Sequence, residues 1–315
     1  MKRSDERGIA LLLALLVLTL LVAIILDFDA EARREFRDAT VFRDGLKATT
    51  IARAGIQAAR AVLRQDSLLE ARTKLHYDGR GDLWMMPLTN FPLGDGIINA
   101  VIEDERGKLN LNLLGGINDP LAKRSAVLRF KRLFGLVQVD PRMVDAIVDW
   151  IDADEVPEAD GAESSYYQTL RPPYRAANEP LQSLEELRLV RGVTQDMIDK
   201  LAPYVTVFPS QTDGRINLNT AHLLVLQALD LRISAAIAGE IIQGRPYKTM
   251  QDLDRVSGFE PIAKELRLTQ AYDIKSQFFS IRGTVRVNEA VKSVLGVVKR
   301  DEAKGDTTLL FVQIR

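Results

Sequence analysis

Residues 9–26 read IALLLALLVLTLLVAIIL, eighteen consecutive positions from Ile9 to Leu26 without a charged side chain. An apolar run of this length can cross a bilayer core as one helix, because about 20 residues rising 1.5 Å each span roughly 30 Å. It follows the polar leader MKRSDERG, residues 1–8, and passes straight into Asp27, Asp29, Glu31, Arg33 and Arg34, a charged stretch that keeps a helical pattern. A secretory signal has a shorter apolar core with a small-x-small cleavage site behind it, and this sequence shows neither. Lys2, Arg3 and Arg7 place the leader in the cytoplasm and the bulk of the chain outside. The one scissile point that the pattern offers is Gly8-Ile9, ahead of the apolar run. The alternative is a signal anchor that is never cut.

Working outward, residues 27 to about 66 still read as helix. Phe36, Ala39, Phe42, Leu46, Ala54, Ala58 and Val62 recur at spacings that keep them close to one face, and no proline intervenes before Pro87. A helix of roughly fifty-five residues suits a stalk with its first half in lipid and its second half packed on a domain, which Gly45 and Gly55 soften. Residues 66–100 read as irregular, punctuated by Gly79, Gly81, Pro87, Pro92, Gly94 and Gly96. Ile97 to Ile102 favours a strand. Phe278 to Val287, Val291 to Val298 and Thr307 to Ile314 read as three more, the last two joined by the turn-rich DEAKGD. These strands predict a small antiparallel sheet built from both sides of a large insertion, whose pattern is almost entirely helical from 108 to 272. The fold class is therefore α+β.

The insertion echoes itself twice. GKLNLNLL at 107–114 is answered by GRINLNTA at 214–221, and SLEELRLVRGV at 183–193 by TMQDLDRVSGF at 249–259. In the second echo Leu187, Val190 and Gly192 match Leu253, Val256 and Gly258. Each copy opens on a capping-box pattern, Ser183 with Glu186 and Thr249 with Asp252, and reaches a glycine where a helix–turn–helix corner fits. This is the pattern of helix-hairpin-helix or SAM-like units. DNA-binding hairpins carry Gly-apolar-Gly at the turn so that backbone amides can approach phosphate. Here the turns are Gly192-Val193-Thr194 and Gly258-Phe259-Glu260, with no Lys/Arg cluster beside either. A packing module is the better reading of the two.

DWIDADEVPEADGAE at 149–163 carries the strongest chemical signal. From Met143 to Leu170 there are eight acids and no Lys or Arg, and so many carboxylates repel each other unless solvated or neutralised by a cation. Oxygen ligands in this number suit Ca²⁺ better than a transition metal. Counted as an EF-hand loop from Asp152, acids fall at positions 1, 3, 9 and 12: Asp152, Asp154, Asp160 and Glu163. Val156 replaces a ligand and Pro157 the turn glycine, so the loop is not an EF-hand. It reads as an irregular calcium loop or, alternatively, as a solvated acidic loop. The same acids could be offered as a general acid and base, but carboxylate pairs are too common to be specific. The chain holds no G-x-S-x-G, Walker A, H-E-x-x-H or G-x-G-x-x-G, and the reading is non-enzymatic. Arg80-Gly81-Asp82 resembles an adhesion tripeptide by chance.

Composition agrees with this reading. The net charge of −1 gives no general attraction to nucleic acid. The absence of cysteine removes any disulfide framework, and only His76 and His222 are available, which argues against zinc.

At this point the chain resembles a known family. A cut after Gly8, ahead of an apolar helix, resembles type IV prepilin processing. The leader before IALLLALLVL, GKLNLNLL, DWIDAD…GAE and YRAANEPLQSLEELRLVRGV with the following PYVTV together resemble the type II secretion system minor pseudopilin K family (general secretion pathway protein K). The resemblance implies a long N-terminal helix on a small sheet with a large helical domain inserted into it. The expected divisions are leader 1–8, membrane segment 9–26, stalk and first strands 27–107, inserted domain 108–272 and closing strands 273–315. It also implies cleavage at Gly8-Ile9 by a prepilin peptidase, methylation, and calcium in the helical domain, with Asp152, Asp154, Asp160 and Glu163 as candidate ligands by spacing. The expected partners are minor pseudopilins I and J, the inner membrane and secreted proteins, with no nucleic acid. The expected location is the bacterial inner membrane, with a periplasmic C-terminal domain that enters a pseudopilus. Its role would be to cap the tip and help initiate assembly for export of folded periplasmic proteins. A membrane-anchored helix-hairpin-helix DNA receptor of competence type is the alternative. One departure stands out: most pilin-like chains carry glutamate at the fifth mature position, which here is Leu13.

Overall fold

A computed structural model describes residues 3–117, 119–209, 214–301 and 305–315. Helix α1, Arg3–Thr73, runs unbroken for 71 residues, about 105 Å at 1.5 Å per residue. Among the described residues it is the one helix long and apolar enough to cross a membrane, and none of its apolar window, of mean hydropathy 3.4, is buried. It extends beyond the expected end near residue 66, because Ser67 to Thr73 still lacks a proline or glycine to stop it.

Strands β1 (Leu88–Leu93) and β2 (Gly96–Asp104) follow. The chain then passes through β3 (Leu109–Asn110), α2 (Pro120–Leu136), α3 (Met143–Ile151), α4 (Ser164–Tyr167), α5 (Gln195–Leu201) and β4 (Val205–Thr206). A second stretch comprises β5 (Ile216–Asn217), α6 (Leu223–Leu229), α7 (Ala235–Gln243), α8 (Glu260–Leu268) and β6 (Tyr272–Asp273). Strands β7 (Phe278–Val287), β8 (Ala290–Arg300) and β9 (Thr307–Ile314) close the chain. Residues 302–304 of the expected DEAKGD turn lie outside the described residues.

The main sheet has the order β1-β2-β7-β8-β9, antiparallel throughout. Strands β2 and β7 are direct neighbours, with Asp104 opposite Phe279. The helical domain therefore leaves and re-enters the sheet at adjacent points. β1 falls in the stretch that the sequence marks as irregular. It contains Pro92, which removes a ladder donor and is tolerated because β1 is an edge strand.

The expected helix stripe also needs correction. Phe36, Phe42 and Leu46 are exposed, as are Ala54 and Ala58. The buried face is Ala48, Ala52, Ile56, Ala59 and Leu63, packed on Ile98, Phe279, Ile281, Val285 and Val298. Small side chains bring the helix close enough to the sheet to exclude water, and that closeness outweighs the greater hydrophobicity of the large residues on the other face.

A buried polar network joins stalk, sheet and helical domain. The Asp104 carboxylate accepts from Asn217 Nδ2 at 2.7 Å, Thr220 Oγ1 at 2.7 Å and Arg106 N at 2.8 Å. Asn217 Nδ2 also donates to Asp78 O at 3.1 Å. The Asp78 carboxylate accepts from Arg300 Nη2 at 2.6 and 2.5 Å and from Ser276 N at 2.7 Å. Each charge has a partner, as buried charges must.

Within the helical domain the sequence echo becomes a structural repeat. The first unit opens at β3 and closes where β3 pairs in parallel with β4; the second opens at β5 and closes with β6. In each, one asparagine turns the chain by accepting from the backbone two residues on: Asn110 from Asn112 N and Asn217 from Asn219 N. The second asparagine is a clamp. Asn112 accepts from Leu181 N at 2.7 Å and donates to Leu181 O at 3.0 Å and Val207 O at 2.7 Å. Asn219 does the same with Tyr247 N at 2.8 Å, Tyr247 O at 2.9 Å and Ile274 O at 3.2 Å. The hairpins open on 3₁₀ turns, Leu184–Leu189 and Met250–Arg255, and bend at Gly192 (φ +76°) and Gly258 (φ +74°).

Candidate metal centre

Helix α3 delivers the site. Its buried face packs Val144, Ile147, Val148 and Ile151 into the domain core, so the chain emerges at Asp152 in a fixed place. The loop returns through Gly161 and Ala162 to Glu163, which precedes α4. Asp149, fully buried, organises the loop between: its carboxylate accepts twice from Glu158 N, at 3.0 and 3.2 Å. Gly161 lies directly against that carboxylate, and a Cβ there would overlap it. Arg191 holds the loop from the first hairpin, donating Nη1 to Gly161 O at 2.9 Å while its guanidinium lies 4.9 Å over the Tyr166 ring.

Of the four sequence-predicted ligands, the fold brings three together. Oxygens of Asp152, Asp154 and Glu163 all lie within 4.8 Å of one another. Two oxygens bound to one Ca²⁺ at 2.3–2.6 Å can be at most about 5 Å apart, so the set has the right span for a single ion. Asp160 is exposed and lies outside this group. Asp145 is taken by Lys131, at 2.7 Å. Gly8 and Ile9 both lie inside α1, exposed.

The polar accounting at the site is incomplete. Glu163 is 3% exposed, yet neither of its carboxylate oxygens has a hydrogen-bond partner; Asp152 Oδ1 and the neighbouring Asn178 Oδ1 have none either. Buried carboxylate oxygens rarely go unmatched, because desolvation is then uncompensated. Burial, with Asp149 and Asp152 adding repulsion, pushes Glu163 up to about 7. Burial likewise raises Asp149 to about 6, against the opposing pull of Glu158 N. Hard oxygen acceptors without donors, as on Asp152 and Glu163, are ligand atoms of the kind that calcium takes.

Lys123 and Asn178 were not legible as part of this site. Lys123 Nζ reaches from α2 to Asp152 Oδ2 at 3.0 Å and Glu158 Oε1 at 3.9 Å. Asn178 Nδ2 donates to Glu155 Oε1 at 3.2 Å. The only sequence signal for Lys123 is a basic residue in the first turn of a helix, where the dipole disfavours it.

A second acidic group, Asp66, Asp78 and Asp82, has the same residue types. It already contains its cation, because Arg300 bridges Asp78 and Asp66 (3.1 Å) from a position only 4% exposed. The hairpin glycines Gly192 and Gly258 are exposed, each with one side against a side chain of its own domain, Met143 and Ile237 respectively.

Comparison with known proteins follows this division. The family model for type II secretion system (T2SS) protein K matches in two parts, residues 107–210 and 216–275, which are the two repeat units. The chain is 31% identical over 303 residues to type II secretion system protein K of Aeromonas hydrophila, covering 90% of each. It is 28% identical over 305 residues to that of Pseudomonas aeruginosa, covering 95% of this chain and 90% of the relative. A chain of the crystal structure of the GspK-GspI-GspJ complex from enterotoxigenic Escherichia coli superposes with a TM-score of 0.72 at 23% identity. That superposition covers 89% of this chain and 99% of the other.

Proposed function

The chain belongs to the type II secretion system protein K family, and on that premise we propose that it is a minor pseudopilin that caps the pseudopilus tip. It helps initiate assembly of the filament that exports folded periplasmic proteins. The observation that carries this reading is the shape of the molecule. A bare apolar helix, suited to a membrane or a filament core, is continuous with a stalk whose head is enlarged by a whole helical domain. Stacking copies helically would make such heads clash, whereas one copy at an end is unconstrained. Leu13 supports the same position. A glutamate there would neutralise the N-terminal ammonium of a neighbour in the apolar core, where an unpaired charge is expensive. A subunit without it fits an end better than a repeating position.

In this reading the helix starts in the inner membrane with the head in the periplasm, and a prepilin peptidase cuts Gly8-Ile9. Pseudopilins I and J, the partners that accompany GspK in the named complex, pack beside this head. Asp152, Asp154 and Glu163, with Asn178 adjacent, hold a calcium ion that neutralises the acidic loop and ties α3 to α4. The protein acts as a structural part and carries out no chemistry. The DNA-receptor alternative is less well supported, since neither hairpin turn carries the second glycine or a Lys/Arg cluster.

The test is the intact mass and N-terminal sequence of membrane-derived protein, with and without the peptidase, together with co-purification of tagged I and J. The expected chain begins at Ile9 only when the peptidase is present and brings I and J with it. A Met1 terminus in both samples, with no I or J retained, overturns the proposal.

A further inference from the structure

Lys123 stands where helix physics does not favour it. It occupies the first turn of α2, just after the N-cap Asp119, whose carboxylate accepts from Ala122 N at 2.8 Å. A cation there opposes the helix dipole, so the reason for it lies elsewhere. Its side chain is 27% exposed, and its ammonium sits 3.0 Å from Asp152 Oδ2, on the carboxylate whose other oxygen has no partner.

We propose that Lys123 is a built-in competitor for the cation site. It holds the acidic loop together when calcium is absent and raises the calcium concentration at which the site fills. This inference rests on the calcium reading above and concerns how that site is tuned. The charge arithmetic supports both effects. One ammonium cannot neutralise Asp152, Asp154 and Glu163 together, so the site still takes a divalent ion. When that ion arrives, an ammonium 3.0 Å from one of its ligands opposes it even through water-like dielectric. Removing the lysine charge should therefore have opposite consequences in the two states: a less stable calcium-free fold and a tighter calcium complex.

The test uses the full-length chain in detergent micelles, as wild type and as Lys123→Met, Lys123→Gln and Lys123→Arg. Melting is followed by circular dichroism in chelator and in calcium, with calcium affinity by titration calorimetry. The expected result is that Lys123→Met and Lys123→Gln melt lower than wild type in chelator. They should nevertheless bind calcium on the order of tenfold more tightly, a difference that interaction of one charge with the ion at this range supports. Lys123→Arg should keep wild-type affinity. The two neutral variants guard against a folding defect peculiar to one side chain. Wild type that binds calcium while both neutral variants bind it equally or more weakly overturns the competitor role and leaves the calcium site standing. Wild type that binds no calcium overturns both.

Discussion

Gly161 bears a constraint that the other residues of the acidic loop do not. It passes so close to the buried Asp149 carboxylate that a methyl group would overlap it, and Asp149 cannot retreat without losing the Glu158 amide. Gly161→Ala should therefore cost about 1–3 kcal/mol, the usual range for overpacking a filled site. It should also weaken calcium binding, because Glu163 is two residues away. Thermal melts in chelator and in calcium check this, and an unchanged melt in both would mean that the loop is looser than its geometry. At this scale the acids themselves were legible: Asp152, Asp154 and Glu163 were marked by spacing and do converge. Asp160 was marked by the same spacing and does not, since an exposed turn carries it away. Spacing along an irregular loop counts residues but does not say which way each side chain faces.

Among the elements, the asparagine clamps explain what the sequence echo is for. Asn112 and Asn219 each make three hydrogen bonds to backbone groups that are 28 to 95 residues distant, and both are buried. Removing either side chain leaves buried peptide groups unpaired, at about 1–3 kcal/mol for each group that water cannot reach. Asn112→Ala and Asn219→Ala should each lower stability by at least about 2 kcal/mol, and their effects should be close to additive because each closes its own unit. Denaturant unfolding of the two single variants and the double variant tests this. A loss below about 0.5 kcal/mol for either would show that the clamp is redundant. The helix stripe teaches the opposite lesson. Hydrophobic periodicity singled out Phe36, Phe42 and Leu46, whereas the sheet took the alanine face, where the helix can approach most closely.

For the molecule as a whole, the insertion is topologically separable. It leaves at the end of β2 and returns at the start of β7, and these strands pair directly. Deleting residues 108–272 should therefore leave the stalk and five-stranded sheet intact. Asp104 would lose Asn217 and Thr220, but its carboxylate would then face water and need no protein partner. If the head caps a filament, that deletion should change pseudopilus length or number, whereas Leu13→Glu should leave tip assembly largely intact. Electron microscopy of sheared pseudopili together with a secretion assay reads both. Normal pseudopili and normal secretion after the deletion refute the capping role.

The amino-acid sequence by itself determined the apolar helix, the β2, β7, β8 and β9 strands, the repeated units and the location of the acidic loop. Each of these is written in local periodicity, turn residues or composition, which act between neighbours in the chain. Only the tertiary structure decided which face of α1 is buried, that β1 completes the sheet, which three acids converge, and that Lys123 reaches Asp152 from 29 residues away. Those outcomes depend on close packing and on charges meeting across long separations, where the partner is chosen by the fold and leaves no local pattern to read.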